Sequence, residues 1–310
     1  VSLLDSRLLK GCSMSVALPK LRVGEPIRHE ALCVFPLFSE PNSRVEYRLS
    51  DEAFADESLL VEEVSESGSV PDLLVENKGD VRVLFLEGEE LVGAKQNRIL
   101  NTSVLVAAHT KIKIPVSCVE QGRWRHTSKF FGSSGSHSPS KLRRSLKSSV
   151  SRSVKEKRGH RSDQGAVWKE VACLNETHGV DSDTAAMSDA FETHQDRIAS
   201  FRESLKYVDG ASGVAVAIGK KIVALDLFDK PSTCQKVWDR MLSGAVFDAM
   251  EAGETNQHAS IADVEQLVAA TGDLPWDQSN AVGEGDEFRA ESKRGDHASA
   301  LAFEETVVHG

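Results

Sequence analysis

Aromatic residues are scarce in this 310-residue chain, 6% of it with only two tyrosines, and no run approaches the roughly 20 apolar residues that a membrane-spanning helix requires. A helical membrane span is therefore not expected. Cysteine is sparse as well: Cys12, Cys33, Cys118, Cys173 and Cys234 are odd in number, widely spaced and without a CxxC pair. That pattern argues against a disulfide framework or a structural zinc site, predicts no metal centre, and fits a reducing cytoplasm. The signatures of common catalytic folds are missing too, with no GxGxxG fingerprint, Walker phosphate loop, GxSxG elbow or HExxH pair. Leu8 to Cys12 has the outline of a lipoprotein processing site, but Asp5 and Arg7 interrupt the apolar stretch such a signal needs. Residues 1–20 are expected to be poorly ordered.

What is present is the composition of an ordinary soluble globular chain, 40% hydrophobic and 27% charged, with a net charge of -10. The charge is segregated. Between Arg123 and Arg161 twelve lysines and arginines face the single acid Glu156, whereas Glu251 to Gly310 carries thirteen acids against Arg289, Lys293 and Arg294. The basic part is rich in serine, so residues 127–161 are expected to be a mobile, dispensable insertion. A nucleic acid bound through residues 123–161 is one functional reading of it. A solvated segment lying over the chain's own acidic surface is the other, favoured because only Phe130 and Phe131 follow Trp124 as possible stacking partners.

Hydrophobic periodicity predicts strands in the first half, over Ala31–Phe38, Leu59–Val64, Leu73–Val75 and Val81–Leu86, with a hairpin turn at Glu87–Glu90 leading into Leu91 and Val92. Arg98–Ala107 alternates two faces, and Lys111–Val119 sets Lys111 and Lys113 against Ile112, Ile114, Val116 and Cys118. The second half reads as helices over 187–205, 231–252 and 258–270, with hairpins around Gly219–Lys221 and Lys293–Asp296. Strands, then helices, then strands describe an α+β fold: a mostly antiparallel sheet in the N-terminal half, helices and two hairpins in the C-terminal half, and a single domain over 21–310.

The chemistry is expected where polar clusters interrupt the strands. Lys95, Gln96, Asn97 and Arg98 follow Gly93, and Glu120, Gln121, Arg123 and Trp124 surround Gly122. Cations at strand ends beside glycine suit phosphate or carboxylate recognition, with the amides hydrogen-bonding a neutral part and Trp124 offering a stacking face. The same residues equally suit a buried network that ties strands together. Glu87 and Glu89, flanking Gly88, supply carboxylates for acid–base work or form a solvated turn. Cys118 with His109 and Glu120 has the elements of nucleophile, base and orienter, but parity places Cys118 on the apolar face of Ile112, Ile114 and Val116.

The motifs LFLEGEELVGAKQNRILNTSVLV and IPVSCVEQGRW, the hairpin GVAVAIGKKIVALDLFD and the helix around KVWDRML resemble the ARG and rhodanese-phosphatase-superfamily-associated protein domain family, where ARG denotes ADP-ribosylglycohydrolase. The resemblance covers roughly Leu21 to Leu301. It implies a part in NAD or ADP-ribose metabolism, a nucleotide-derived, ADP-ribose-like ligand and partners in an ADP-ribosylglycohydrolase pathway. It supplies neither a reaction nor a cofactor. The ligand-binding set it implies is Glu87, Glu89, Lys95, Gln96, Asn97, Arg98, Glu120, Gln121, Arg123 and Trp124. Were an ADP-ribosyl compound hydrolysed, Glu87, Glu89 or Glu120 is the expected catalytic group rather than Cys118.

Overall fold

The computed structural model describes Val16 and residues 18–40, 43–65 and 71–310; the expectation for residues 1–20 falls mostly outside them. In chain order, β1 (Leu21–Val23), β2 (Ile27–His29), β3 (Leu32–Ser39) and β4 (Tyr47–Leu49) lead through the short helix α1 (Ser50–Ala55) into β5 (Leu59–Glu63) and β6 (Asp72–Asn77). Then come β7 (Arg82–Phe85), β8 (Glu89–Gly93), β9 (Arg98–Leu100), β10 (Val104–Val106), β11 (Thr110–Cys118) and β12 (Phe131–His137). Helices α2 (Ser140–Lys155), α3 (Gln164–Thr177), α4 (Met187–Thr193) and α5 (Gln195–Ser204) precede the hairpin of β13 (Gly213–Ile218) and β14 (Lys221–Leu227). The chain closes with α6 (Pro231–Ala252), α7 (Ile261–Gly272), β15 (Asp277–Asn280), β16 (Asp286–Glu291), β17 (His297–Phe303) and β18 (Thr306–His309). The fold is α+β, and among the described residues the one parallel pairing is β4 with β7.

The described residues form four sheets: β1, β2, β3, β13 and β14 form one; β10-β7-β4 a second; β12-β8-β9-β11-β6-β5 a third; and β15-β16-β17-β18 a fourth. The second sheet and the β8–β9 part of the third lie between two apolar clusters. Leu84, Leu86, Ile99 and Leu105 enter the main core with α2, α3, α5 and α6. Their neighbours of opposite parity, Val83, Phe85, Leu100, Val104 and Val106, enter a second core with Leu59, Val61, Leu73, Val75, Ile114 and Val116. Strands covered on both faces need apolar residues at every position, which is why VRVLFL is nearly continuous rather than alternating.

Three expectations are corrected. First, no hairpin forms across Glu87–Glu90: β7 pairs with β10 and β4, and β8 with β9 and β12. Gly88, at φ 82°, instead turns the chain from one sheet into the other, and its N–H donates to Leu100 O at 2.8 Å. Second, the helix expected over 187–205 is broken at His194, whose Nε2 lies 3.1 Å from His178 O; α4 and α5 keep one apolar phase across the break, so periodicity does not register it.

Third, the basic serine-rich segment is part of the fold. Residues 131–137 add β12 to the edge of β8, and α2 inserts Leu142, Leu146 and Val150 into the main core. Its inward cations pair with the chain's own acids: Arg143 with Asp226 at 2.5 and 2.9 Å, and Lys147 with Glu87 at 3.1 Å. Lys141 does the same at the surface with Glu251, at 2.6 Å. Three apolar residues at four-residue spacing suffice to dock a helix when its serines are small enough to pack and its charges meet partners.

Candidate functional site

The two polar clusters singled out above meet at one end of the six-stranded sheet. Antiparallel pairing of β9 with β11 sets Cys118 opposite Arg98, so the segments preceding β9 and following β11 leave the sheet together. Glu120 joins them. Its carboxylate accepts from Asn97 N–H at 3.0 Å, Thr184 Oγ1 at 2.9 Å and both arms of Arg123, Nε at 2.7 Å and Nη2 at 2.6 Å. Burial alone would raise this carboxyl; Arg123, the Asn97 N–H and Thr184 outweigh it and hold Glu120 below its usual range. The rest of Arg123 binds main chain and neighbours, with Ala94 O at 2.7 Å, Arg125 O at 3.0 Å, Gly93 O at 3.2 Å and Asn97 Oδ1 at 3.0 Å. Gly122 permits this closure, since its N–H donates to Thr184 O at 2.7 Å and a Cβ would meet Thr184 Cα at 2.8 Å.

Arg98 is different. It lies wholly out of solvent; Nη1 donates to Gln96 O at 3.2 Å and Gln96 Oε1 at 3.1 Å, while Nε and Nη2 have no hydrogen-bond acceptor among the described residues. The nearest opposite charge is Glu63, 3.7 Å from Nη2, and neither Glu63 oxygen is hydrogen-bonded. Cys118 donates its thiol to Gln96 Oε1 at 3.0 Å, and burial pushes that thiol up against the lesser pull of the Glu120 main chain and Arg98. Trp124 stands over the cations, its ring centre 5.3 Å from Lys95 Nζ and 5.9 Å from Arg98 Cζ. At 48% exposure it is the exposed large hydrophobic residue among those described. Gln121 is exposed beside it.

Glu87 and Glu89 do not join this group, because β8 runs between them and Gly93, about 15 Å of strand. Glu87 is buried between Lys147 at 3.1 Å and Arg289 at 4.0 Å. Glu89 is buried against Ser50, Leu86 N–H at 3.0 Å and Arg240 at 3.6 Å. His109 lies at the far end of β11 from Cys118, about 30 Å away along the strand, and bonds Asp80 at 2.8 Å, so it is no base for that thiol. Beside Glu87, Ser103 Oγ is 2.7 Å from His309 Nδ1, and His309 Nε2 is 3.5 Å from Asp226. The order is that of nucleophile, base and acid. Asp226 is held by Arg143, however, and Glu87 N–H occupies Ser103 Oγ at 2.9 Å, so these groups form a buried structural chain.

Glu63 was not among the residues expected at the site. Its signal was parity: Leu59, Val61 and Glu63 share the buried face of β5, which places a carboxylate where an apolar side chain belongs. Glu90 sends a similar signal. It is fully buried on β8, and burial, reinforced by the charges of Glu120, Asp189 and Glu192 and only partly opposed by Ser134, pushes it up to about 8. Folded protein therefore keeps a proton that the unfolded chain has released between about pH 4.5 and 8. This contribution to stability is complete below that window and lost as pH rises through it, with a slope of up to about 1.4 kcal/mol per pH unit. Glu90→Gln is expected to flatten that fall, as measured by denaturant titrations of both proteins from pH 5 to 9; parallel curves would contradict it.

Among the described residues no helix is long and apolar enough to cross a membrane, and no group of three or more His, Cys, Asp and Glu side chains is placed to hold a metal ion. The family model described as the ARG and Rhodanese-Phosphatase-superfamily-associated Protein domain matches residues 20–310. No curated protein and no solved structure matches the chain.

Proposed function

The chain belongs to the ARG and Rhodanese-Phosphatase-superfamily-associated Protein domain family, and from that premise we propose that it binds a phosphate-bearing, ADP-ribose-like compound at the Arg98 end of its six-stranded sheet. The observation that carries this reading is Arg98 itself: a fully buried guanidinium with two nitrogens lacking acceptors, beside Lys95 and under a half-exposed indole. Buried donors without partners cost about 1–3 kcal/mol, and an anionic ligand would recover that cost where it binds. Guanidinium, ammonium and indole together suit a phosphate joined to a planar base.

Within this reading the roles divide. Arg98 and Lys95 supply the positive charge that attracts the ligand, and Trp124 covers the base. Gln96 and Gln121 border the ligand, while Arg123, Glu120 and Asn97 set the geometry of the loops. The family name supports a place in NAD or ADP-ribose metabolism and partners from an ADP-ribosylglycohydrolase pathway; a cytoplasmic setting is part of the same reading.

The test is a thermal-shift titration with ADP-ribose, NAD and inorganic phosphate. A ligand present at a hundred times its dissociation constant adds about 2.7 kcal/mol to stability. ADP-ribose is expected to raise the midpoint, and Arg98→Lys to weaken binding at least tenfold, because lysine keeps charge but not the fork. If Arg98→Lys instead lowers stability of the ligand-free protein and no ligand shifts the wild type, the residue is a structural tie and the reading fails.

A further inference from the structure

Arg98 and Glu63 present complementary hydrogen-bonding groups that none of the described residues fills. Nε and Nη2 of Arg98 are donors without acceptors, both Glu63 oxygens are acceptors without donors, and all four atoms are buried. The two side chains come from β9 and β5, three places apart in the sheet order, and stop 3.7 Å short of each other. Because each is anchored on its own strand, the pair does not close to hydrogen-bonding distance. Two opposite charges held apart, each with spare capacity, complement a group that carries an acceptor and a donor side by side.

We infer that this pair reads the donor–acceptor edge of a nitrogenous ring, the amino edge of adenine or the uncharged carboxamide of nicotinamide, with Trp124 as the cover of that ring. This rests on the function proposed above and narrows the part of Arg98 in it, from attracting the ligand's charge to reading the edge of its ring. A phosphate alone satisfies Arg98 but is repelled by Glu63, and a hydroxyl brings one donor for the two Glu63 oxygens where an amino or carboxamide group brings two. An acceptor on Arg98 with an N–H on Glu63 satisfies the pair without adding net charge. The indole is suited to covering such a ring, being planar, half exposed and already seated over both cations.

Two matched pairs of compounds, measured by calorimetry on the full chain, test this. One is ADP-ribose against its hypoxanthine counterpart, in which donor and acceptor change places; the other is nicotinamide mononucleotide against nicotinic acid mononucleotide, whose carboxylate opposes Glu63. At least tenfold discrimination is expected in one pair, which identifies the source of the edge, and Glu63→Gln is expected to bring that ratio toward one. If ADP-ribose binds and Arg98→Lys weakens it, yet neither pair is discriminated, the inference is overturned and the proposed function stands. Discrimination untouched by Glu63→Gln also overturns it, as does an ordered water bridging Arg98 and Glu63 in a ligand-bound crystal structure. If none of the four compounds binds, both readings fall.

Discussion

Excision of residues 133–161, with Gly132 and Ser162 rejoined by a short Gly-Ser linker, is expected to abolish cooperative unfolding. The segment removes most of β12 from the edge of β8 and takes Leu142, Leu146 and Val150 out of the main core. Each large apolar side chain lost from a core costs about 2–5 kcal/mol, against a total stability of about 5–15 kcal/mol for a typical domain. Asp226 and Glu87 would lose Arg143 and Lys147 at the same time. Circular dichroism melts decide the matter: a single sharp transition near that of the full chain would show that α2 is an appendage.

Replacing Arg143 by methionine is expected to cost about 3–5 kcal/mol, because it leaves Asp226 buried without its two-armed partner. His309, at 3.5 Å, is too distant to substitute for it. Burial would raise the Asp226 carboxyl; Arg143 outweighs it and holds the acid well below its usual range. The pair's contribution is therefore complete above the ordinary carboxylate range and lost only as pH falls through the depressed value, so the penalty of Arg143→Met is expected in full at pH 7 and reduced in strong acid. The double replacement Arg143→Met with Asp226→Leu is expected to recover most of the loss, since an apolar pair of similar volume leaves no charge to desolvate. Urea midpoints of the two single variants and the double variant check this, and equal losses for Arg143→Met at pH 3 and pH 7 would contradict it.

Much of the frame was legible in the sequence, and the failures have physical causes. Pro231 and Gly253 bracket α6 as a fixed φ at the start and a left-handed residue at the end dictate, and the strict alternation of Lys111 to Cys118 gave β11 its buried face. The stripe Leu142, Leu146, Val150 was also visible at helical spacing, but the surrounding serines and arginines made composition argue for disorder. Composition cannot tell that Asp226 and Glu87, distant along the chain, wait for those cations. Parity likewise cannot tell a hairpin from a crossing between sheets, so β7 and β8 were paired wrongly. The meeting of Lys95–Arg98 with Glu120–Trp124 was legible because both close neighbouring strands. That Arg123 is saturated by Glu120 and main-chain carbonyls while Arg98 is left with free donors depends on side-chain reach, which no local pattern encodes.

The unequal burial of the four tryptophans makes the protein its own optical probe. Trp238 and Trp276 are buried and Trp168 is partly covered, whereas Trp124 is 48% exposed with a lysine and an arginine against its ring. Iodide should therefore quench chiefly Trp124, drawn further by the neighbouring positive charge, and the quenched component should carry the red-shifted part of the emission. A ligand that covers this ring would shield it from iodide while leaving the blue component of the buried indoles unchanged. Occupancy of the Arg98 end of the sheet can thus be followed by intrinsic fluorescence, without a label.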